Sequence, residues 1–436
     1  MILFLLFICL FSALLLGFPV AFTLAGISII FGYFTFGTDI FYLLPLRIYG
    51  TMNNQILIAV PLFIYMGVML EKSGIAQRLL QTMAILLGRF RGGIAISVAI
   101  VGAMLAASTG IVGATVVTMG LMSLPTMLNR GYKEEYATGI IAASGTLGQI
   151  IPPSIVLILM GNVMNVSIGD LFIAAVIPGV TLVFLYIVYV YVYARFNPDK
   201  VPHFSKEEIK EFKEGLSTKT LLNTFILPFL LIIAVLGSIF LGIASPTEAA
   251  GIGALCASIL TLLEKKLTWK VIKEAAYESA HLSSMVFMIL VGATAFGLVF
   301  RGLGGDDLLV HFIQEADLSP YSFLLIVMIG IFIAGFFIDF IEIIFIFIPV
   351  VTPIFIMYDM NLLWIGILIS LNLQTSFLTP PFGFSLFYLK GVAPDTIRTS
   401  HIYKGILPYI GIQLFLIAVV VFFPSIVTWL PNFLND

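Results

Sequence analysis

The sequence is poor in charge and in cysteine. Only 10% of its 436 residues are charged, whereas 60% are hydrophobic, and the mean hydropathy is +1.13. A soluble domain of this size does not have such a composition. The only two cysteines, Cys9 and Cys256, both lie inside apolar runs. We therefore expect a membrane protein without a disulfide.

Two further absences exclude other classes of protein. The four histidines are scattered without the spacing of metal ligands, and the alternation of apolar and polar residues that marks barrel strands is missing. A metal enzyme and an outer-membrane barrel are therefore not expected. Instead, apolar runs of about 20 residues, the length that crosses a bilayer as a helix, recur from end to end. The sequence predicts an all-α polytopic membrane protein.

The chain repeats itself at a displacement of 228 residues. The doubled proline of "GTLGQIIPPSIVL", at positions 152 and 153, matches that of "TSFLTPPFGF", at 380 and 381. Pro125 matches Pro353 at the same displacement. A chain with 20 prolines would seldom align so many by chance. The sequence therefore predicts two copies of one unit, 1–194 and 221–436, separated by the polar linker 195–220.

Each copy is predicted to contain five spans and one helical hairpin. The hairpins are predicted at 92–128 and 320–357. One span of each copy, 136–165 and 361–389, contains the doubled proline and is predicted to be an interrupted helix. The remaining predicted spans are 2–16, 19–36, 55–70, 168–194, 221–243, 246–263, 278–300 and 405–430.

The basic residues predict the orientation of both copies. If each hairpin enters and leaves on one side, nineteen of the 21 Lys and Arg residues face one side, and only Arg47 and Arg301 face the other. Basic loops stay in the cytoplasm. Five crossings per copy then invert the second copy relative to the first and leave both termini in the periplasm. The linker 195–220 alternates acidic and basic residues at helical spacing, which predicts an amphipathic helix on the cytoplasmic surface.

The doubled prolines follow a polar run in both copies. Proline inside a helix removes a hydrogen bond, and in a bilayer the released carbonyl must find another partner. A kink stabilised by neighbouring helices is one explanation. Matched interruptions in inverted repeats are, however, typical of secondary transporters, where unwound carbonyls bind cations and helix N-termini bind anions. The polar runs contain Ser144, Gly145, Thr146, Gly148 and Gln149 in the first copy, and Asn372, Gln374, Thr375, Ser376 and Thr379 in the second.

The predicted hairpin tips are also polar. The first, "LAASTGIVGATVV", contains Ser108, Thr109 and Gly110, which permit a sharp reversal and supply hydroxyl groups. The second, "IAGFFIDFIEIIF", places Asp339 and Glu342 one helical turn apart among apolar residues. A carboxylate at the bilayer centre costs about 2.5–3.5 kcal/mol. A bound cation, a proton or a hydrogen-bonding cage at the hairpin turn could each compensate for it.

At these residues the sequence resembles the large membrane subunit of tripartite ATP-independent periplasmic (TRAP) transporters, the DctM-like family. The resemblance covers the whole chain and is strongest in "AASGTLGQIIPPSIVLILMGNVMNVSIGDLF", "GFFIDFIEIIFIFIPVVTPI" and "TPPFGFSLFYLKGVAP". It implies an inverted-repeat elevator-type transporter similar to the ion transporter superfamily, with two re-entrant helical hairpins and two discontinuous helices. The location it implies is the bacterial inner membrane.

The resemblance also implies a function and partners. The function is Na⁺-coupled import of a small organic acid anion, a carboxylate or a sulfonate, together with two or more Na⁺ ions. The partners are a periplasmic substrate-binding protein and a small four-helix (DctQ-like) membrane subunit that braces the scaffold. The bilayer is the remaining partner; no nucleic acid is expected.

Site residues follow from the same resemblance. One Na⁺ ion would bind between the first tip and the first interruption, at Ser108, Gly110, Ser144, Gly145 and Thr146. Another would bind between the second tip and the second interruption, at Gly335, Asp339, Asn372, Thr375 and Thr379. The anion would bind near Ser108, Thr109, Asp339, Gln374 and Thr379.

Two alternatives remain open from the sequence. A stand-alone Na⁺- or H⁺-coupled carboxylate symporter or antiporter could have a similar architecture. An integral-membrane enzyme is less compatible, because the acidic pair Asp339 and Glu342 has no histidine near it in the sequence. We expect a transporter rather than an enzyme, and the sequence leaves the transported acid undetermined.

Overall fold

The computed structural model describes residues 2–202 and 218–435, and within these ranges every regular element is a helix. By length and composition, seven of the described helices can cross a membrane, or eight if one bent pair counts as a single span. The chain is therefore an all-α polytopic membrane protein. Most of the predicted cytoplasmic linker helix, residues 203–217, lies outside the described residues.

The first copy is built from ten helices. Those before its hairpin are α1 Ile2–Leu15, α2 Val20–Phe36, α3 Ile40–Met52, α4 Ala59–Lys72 and α5 Ile75–Leu87. The hairpin, the interrupted helix and the last span of this copy are α6 Gly93–Thr109, α7 Val112–Asn129, α8 Glu134–Thr146, α9 Ile155–Met164 and α10 Ile168–Phe196.

The second copy is built from eleven described helices. Before its hairpin these are α11 Thr218–Phe240, α12 Pro246–Leu263, α13 Trp269–Gly302 and α14 Gly305–Glu315. The hairpin, the interrupted helix and the last helices are α15 Pro320–Ala334, α16 Phe340–Ile346, α17 Ile348–Met357, α18 Leu362–Leu378, α19 Phe384–Val392, α20 Thr399–Phe422 and α21 Ser425–Asn435.

Equivalent helices of the two copies begin and end at the displacement found in the sequence. Helix α7 runs from 112 to 129, and α16 with α17 runs from 340 to 357, so both bounds differ by 228. The residues that precede them, Ile111 and Asp339, are likewise 228 apart. Helices α8 and α18 also begin 228 residues apart.

Several predicted spans differ from the helices observed. The sequence indicated no helix at 37–54, but α3 forms there, because the run is apolar enough to continue through Pro45. The predicted span 405–430 ends at Phe422, where Phe423 and Pro424 separate α20 from α21. The predicted span 278–300 is the central part of the 34-residue helix α13. The helices α5 and α14, at equivalent places in the two copies, were not predicted.

Both predicted hairpins are present as helix–turn–helix units. Helices α6 and α7 reverse direction at Gly110, whose φ of 61° is left-handed and favours glycine. In the second hairpin, α15 ends at Ala334 and α16 begins at Phe340, and α16 and α17 meet at a bend of 51°. The longer second turn is where the acidic pair of the sequence lies.

Both proline pairs interrupt a helix. Helix α8 ends at Thr146, a 3₁₀ turn covers 147–149, and α9 begins at Ile155. In the second copy α18 continues to Leu378 and α19 begins at Phe384. The Pro152–Pro153 and Pro380–Pro381 peptide bonds are both cis. The second interruption therefore begins later than its polar run, and Asn372, Gln374 and Thr375 are still helical.

The helices form two sets that matter for the site. The hairpins and interrupted helices, α6–α9 and α15–α19, pack on one another and are here called the central unit. Helices α1–α4, α12 and α13 pack together beside it and are called the scaffold. Helix α20 lies against α8, where a Cβ on Gly139 would overlap the Gly405 carbonyl and a Cβ on Gly405 would overlap the Glu135 carbonyl.

Candidate functional site

A cavity of about 110 Å³, here called the central cavity, lies between the two hairpin turns. Ile111 to Gly113 line it from the first turn and Asp339 to Ile341 from the second. Ile155 at the start of α9 and Tyr388 on α19 belong to the interrupted helices, and the scaffold closes the cavity with residues of α4 and α13. The cavity therefore lies where the two halves of the central unit, one from each copy of the repeat, meet the scaffold.

Three helices near the central cavity have no side-chain cap: α7 and α9 begin at the cavity, and α19 lines it with Tyr388. The residues before α7, α9 and α19 are Ile111, Ser154 and Gly383, and none of them accepts a hydrogen bond from the first turn of its helix. Ser154 instead donates to the carbonyl of Gln149 over 2.9 Å. By contrast α10, α12, α13, α15 and α18 each begin with a side-chain cap. The uncapped N–H groups are available to an anion.

The acidic pair of the second hairpin forms a capping box. The Asp339 carboxylate accepts a hydrogen bond from the Phe340 N–H over 2.8 Å, and the Glu342 carboxylate accepts one from the Asp339 N–H over 3.2 Å. Negative side chains at a helix N-terminus are stabilised by its N–H groups and its dipole. Glu342 therefore belongs to a hydrogen-bonding cage, one of the three explanations that the sequence left open. Asp339 also lines the central cavity.

The first hairpin and the first interrupted helix, which contain the first predicted cation group, lie against each other. A Cβ on Gly145 would overlap the Val116 side chain of α7, and one on Gly102 would lie 2.6 Å from the Cβ of Ser144. A Cβ on Gly110 would lie 3.3 Å from the backbone nitrogen of Ile155. The first hairpin and first interruption are therefore closely packed. The side chains of the predicted residues Ser108 and Thr109 lie outside what the structure describes.

The second hairpin and the second interrupted helix, which contain the second predicted cation group, also lie against each other. A Cβ on Gly335 would overlap the hydroxyl of Ser376, so the last turn of α15 lies directly on α18. Asn372 is buried and donates its side-chain amide to the Met328 carbonyl over 2.7 Å. The ring of Phe340 packs edge-on against Phe377, with 6.0 Å between centroids. Hairpin and interruption are therefore adjacent in this copy as well.

The hydroxyl groups of both polar runs have lone pairs left over. Thr375 donates its proton to the Leu371 carbonyl over 2.8 Å, and Thr379 donates to the Thr375 carbonyl over 2.7 Å. Ser144 donates in the same manner to Ile141 over 3.0 Å. A hydroxyl has one proton and two lone pairs. Their oxygens can therefore still act as acceptors or as ligands of a cation.

A buried glutamine lies in the polar run of each copy, and in the part of the chain that the structure describes only one of the two joins the copies. Gln374 donates its amide to the Thr146 hydroxyl over 3.3 Å, while its own carbonyl oxygen has no partner among the described residues. Both polar side-chain atoms of Gln149, which is fully buried in the first interruption, likewise lack a partner there. Buried polar groups without partners are costly and uncommon. Gln149 was not among the predicted site residues, although its place in the polar run could have indicated it. Tyr388, which was also not predicted, lies with its ring over Gly113.

Among the described residues, the polar contacts that cross from the scaffold to the central unit include two side-chain hydrogen bonds. Thr118 on α7 donates to the Glu71 carboxylate on α4 over 2.7 Å. Asn54, in the turn between α3 and α4, donates its side-chain amide to the side-chain oxygen of Asn162 on α9. Apart from such contacts the boundary is lined mainly by apolar side chains at the central cavity. Apolar surfaces can slide past one another at a lower cost than a hydrogen-bonded boundary.

Comparison with known proteins gives a consistent family. Residues 7–426 match the model of the family described as "Tripartite ATP-independent periplasmic transporter, DctM component". The chain is 29% identical to the C4-dicarboxylate TRAP transporter large permease protein DctM of Vibrio cholerae, over 99% of this chain and 97% of that protein. It is 30% identical to the ectoine/5-hydroxyectoine TRAP transporter large permease protein UehC of Ruegeria pomeroyi, over 98% of both chains.

A third relative and a solved structure extend the comparison. The sialic acid TRAP transporter permease protein SiaT of Haemophilus influenzae is 30% identical over 88% of this chain and 61% of that protein. The crystal structure of the YdaH transporter of Alcanivorax borkumensis is similar with a TM-score of 0.59, covering 87% of each chain at 12% sequence identity. At that identity the similarity concerns the fold alone.

Proposed function

This chain belongs to the family of the DctM component of tripartite ATP-independent periplasmic transporters, and on that premise we propose that it imports a small organic anion together with Na⁺. The observation that carries the proposal is the central cavity, because both hairpin turns and both interrupted helices meet there around Asp339. In this proposal the chain is the permease subunit in a bacterial inner membrane, with both termini in the periplasm. It has no catalytic step.

Uncapped helix N-termini would bind the anion. The N–H groups at the starts of α7 and α9 have no side-chain partner, and both helices begin at the central cavity. The positive end of a helix dipole favours a negative ligand. A volume of about 110 Å³ accommodates a small acid, since a water molecule occupies about 30 Å³. Tyr388, which covers the start of α7, would orient the ligand.

A cation is needed because the same cavity contains a carboxylate. An organic anion that enters beside Asp339 adds a second negative charge to a small, largely apolar space. Like charges in such a space repel each other strongly unless a cation or proton neutralises one of them. The hydroxyl oxygens of Ser144, Thr375 and Thr379, whose protons are engaged elsewhere, are suitable ligands for Na⁺ as a co-transported substrate.

Two or more Na⁺ ions per monoanion would make uptake driven by the membrane potential. We assign one ion to each pairing of a hairpin turn with an interruption, the arrangement that also packs most closely. A unit charge that crosses 100 mV changes the free energy by about 2.3 kcal/mol. Net inward movement of positive charge would therefore accumulate the anion against its gradient.

Movement of the central unit as a body would carry the ligands across. Support comes from the packing: the hairpins and interrupted helices contact one another closely, whereas Thr118–Glu71 and Asn54–Asn162 are the polar contacts described across the boundary to the scaffold. Helix α20 lies backbone to backbone on α8, so we include it in the moving body. This is an elevator mechanism.

The relatives define the range of substrates and partners to be tested. Their names specify C4-dicarboxylates, sialic acid and ectoine, so we propose a small carboxylate for this chain. We further propose that a periplasmic binding protein delivers it and that a small four-helix subunit braces the scaffold.

Uptake into liposomes tests the proposal. The chain is purified with a candidate binding protein and a candidate small membrane subunit from the same organism, reconstituted, and given labelled succinate, N-acetylneuraminate or ectoine. Uptake of one of them that requires external Na⁺ and the binding protein is expected. Equal uptake in K⁺ would disprove Na⁺ coupling, and uptake driven by a pH gradient without the binding protein would favour the stand-alone H⁺-coupled transporter.

A further inference from the structure

A second cavity, of about 510 Å³, lies beside the central cavity and contains two arginines. We call it the arginine cavity. Arg47 on α3 and Arg301 at the end of α13 both line it, although 254 positions separate them in the sequence. They are the two basic residues that the distribution of loops assigns to the side opposite the other nineteen. The fold therefore gathers the basic charge of that side into one place.

The rest of the lining is uncharged and mixes polar with apolar side chains. Asn54, Asn162, Thr51 and Thr294 contribute amides and hydroxyls, and no Asp or Glu is among the described residues that line the cavity. No carboxylate in the described part of the chain lies within ion-pair distance of Arg47. Arg301 has one distant partner, Asp306, at 3.8 Å. The cavity thus has a positive potential that nothing within it neutralises.

The arginine cavity lies one helical turn from the central cavity. On α13, Val286 lines the central cavity and Leu290 lines the arginine cavity. On α16, Ile341 lines the central cavity and Phe345 lines the arginine cavity. Residues four apart on a helix lie about 6 Å apart along its axis. The two cavities therefore follow one another along the boundary between the scaffold and the central unit.

We propose that the arginine cavity is an entry site, in which Arg47 and Arg301 bind the carboxylate of the organic anion before it reaches the central cavity. This rests on the proposed function, since it requires an anion to cross here. Guanidinium groups match carboxylates in geometry and stay charged at any physiological pH. Both arginines are exposed to solvent in the cavity, so they attract the anion without retaining it tightly.

The site belongs to the scaffold and would therefore stay in place during transport. Both arginines lie on scaffold helices, α3 and α13, whereas Asn162 and Phe345 form the facing wall on the central unit. A carboxylate that rests on the arginines can exchange them for the uncapped helix N-termini one turn further in. The arginines would thus increase the rate at which an anion present at low concentration reaches the central cavity.

The electrostatic part of the proposal can be tested without any substrate. Gly297 lines the arginine cavity one turn before Arg301, and a Cβ added there meets no atom within 4 Å. Gly297→Cys, in a Cys9→Ser/Cys256→Ser background, is treated with anionic 2-sulfonatoethyl or cationic 2-trimethylammonioethyl methanethiosulfonate. The rate with the anionic reagent is divided by the rate with the cationic reagent, and this ratio is divided by the same ratio for a free thiol in solution. The corrected ratio reports the electrostatic potential at position 297 in the cavity.

We expect the corrected anion-to-cation ratio to exceed one and to fall about five- to tenfold in Arg47→Gln/Arg301→Gln, because a change of about one kT in potential acts on both rates in opposite directions. Arg47→Lys/Arg301→Lys should restore it. Lys270→Gln, which removes an exposed charge at the other end of α13, is the matched control and should leave it unchanged. An unchanged ratio in the double Gln variant would overturn the proposal.

Binding of a carboxylate is the second arm. Sodium succinate should slow modification of Gly297→Cys by the anionic reagent at least threefold relative to sodium chloride of equal ionic strength, and only while the arginines are present. Equal rates in the two salts would overturn carboxylate binding. Carboxylate binding would also be overturned if succinate still slowed modification in the double Gln variant while that variant no longer associated with the binding protein. The arginines would then contact a protein surface instead of the anion. If the wild-type chain transported no organic anion, the proposed function would be disproved. The modification rates would still show separately whether the arginine cavity binds a carboxylate.

Discussion

The side-chain amide of Gln374 donates a hydrogen bond to the Thr146 hydroxyl over 3.3 Å, and 228 residues separate the two. This is the displacement that relates the two copies of the chain. Residues related by a pseudo-two-fold axis can contact each other only on that axis, so the bond marks where it passes between the interrupted helices. Gln413 and Tyr186, 227 residues apart and joined over 2.8 Å, make another buried contact between the two copies.

The Gln374–Thr146 bond should contribute measurably to stability. Thr146→Val leaves the buried Gln374 amide without its partner, which costs about 1–3 kcal/mol. Gln374→Leu should cost less, because the Thr146 hydroxyl still donates to the Ala143 carbonyl. Because each variant breaks the same bond, the double variant should lose less than the sum, with a coupling of about 0.5–1.5 kcal/mol. Reversible unfolding of the purified protein in mild detergent measures all four free energies.

A control for this cycle is available on the same helix. Thr138 is as buried as Thr146, but it donates only to backbone carbonyls of its own helix, those of Glu134 and Glu135. Thr138→Val combined with Gln374→Leu should therefore be additive within about 0.5 kcal/mol. Coupling as large as that of the Thr146 cycle would mean that the bond across the axis contributes nothing specific.

The charge of Asp339 should matter for transport more than its cap does for stability. Asn caps a helix about as well as Asp, so Asp339→Asn should change the unfolding free energy by less than about 1 kcal/mol. The same variant should lower Na⁺-dependent uptake at least tenfold, because the charge that pairs with the cation is gone. Liposome uptake and thermal unfolding are measured on the same preparation.

The exposed capping box of α12 provides the comparison for Asp339. Ser245 and Glu248 cap that helix in the same geometry, away from the central cavity. Ser245→Ala removes a cap and should leave uptake within about twofold of wild type, because it does not affect a cation site. If Asp339→Asn transports as well as Ser245→Ala, Asp339 does not bind a coupling cation.

Gly145 should tolerate no side chain. A Cβ there would overlap Val116 of the first hairpin, and overpacking in a close contact costs about 1–3 kcal/mol. Gly145→Ala should therefore lower the unfolding temperature and uptake together, and Val116→Ala in the same chain should restore both. Gly330→Ala, on the second hairpin, adds a Cβ with no atom within 4 Å and should behave as wild type. A Gly145→Ala chain that is as stable as Gly330→Ala would show that the hairpin and interruption are loosely packed.

Movement of the central unit can be blocked by a crosslink across its boundary. Asn54 and Asn162 contact each other from opposite sides of that boundary, whereas Thr51 and Thr294, 3.3 Å apart, both belong to the scaffold. In the background without native cysteines, oxidation of Asn54→Cys/Asn162→Cys should reduce uptake below a tenth, and dithiothreitol should restore it. The physical reason is that a disulfide holds the two bodies at one relative position.

The scaffold pair is the matched control for that crosslink. Thr51 and Thr294 line the same arginine cavity, so their disulfide alters the same region without joining the two bodies. Oxidised Thr51→Cys/Thr294→Cys should retain at least half of its uptake. Full activity of the oxidised Asn54/Asn162 pair, with the crosslink verified by mass spectrometry, would contradict an elevator mechanism.

The residues that interrupt the helices were predictable because their chemistry acts locally. Proline cannot continue a helix, so the two pairs are sufficient to indicate both interruptions. The polar run of the second copy was assigned to the interruption, but Asn372 and Thr375 remain helical. Asn372 donates to the Met328 carbonyl of α15, and Thr375 donates to the Leu371 carbonyl of its own helix. Glu342 was unexplained in the sequence because a capping box depends on where the helix begins.

By itself the sequence determined the membrane class, the repeat of 228 residues, the hairpins and the two interruptions, because each follows from composition or from conformational rules that act over a few residues. Only the tertiary structure decided which of these segments meet. It placed Asp339 beside Ile111 in the central cavity, joined Gln374 to Thr146, and brought Arg47 to Arg301. Such contacts depend on how whole helices pack, and no local pattern of residues specifies the packing of helices hundreds of positions apart.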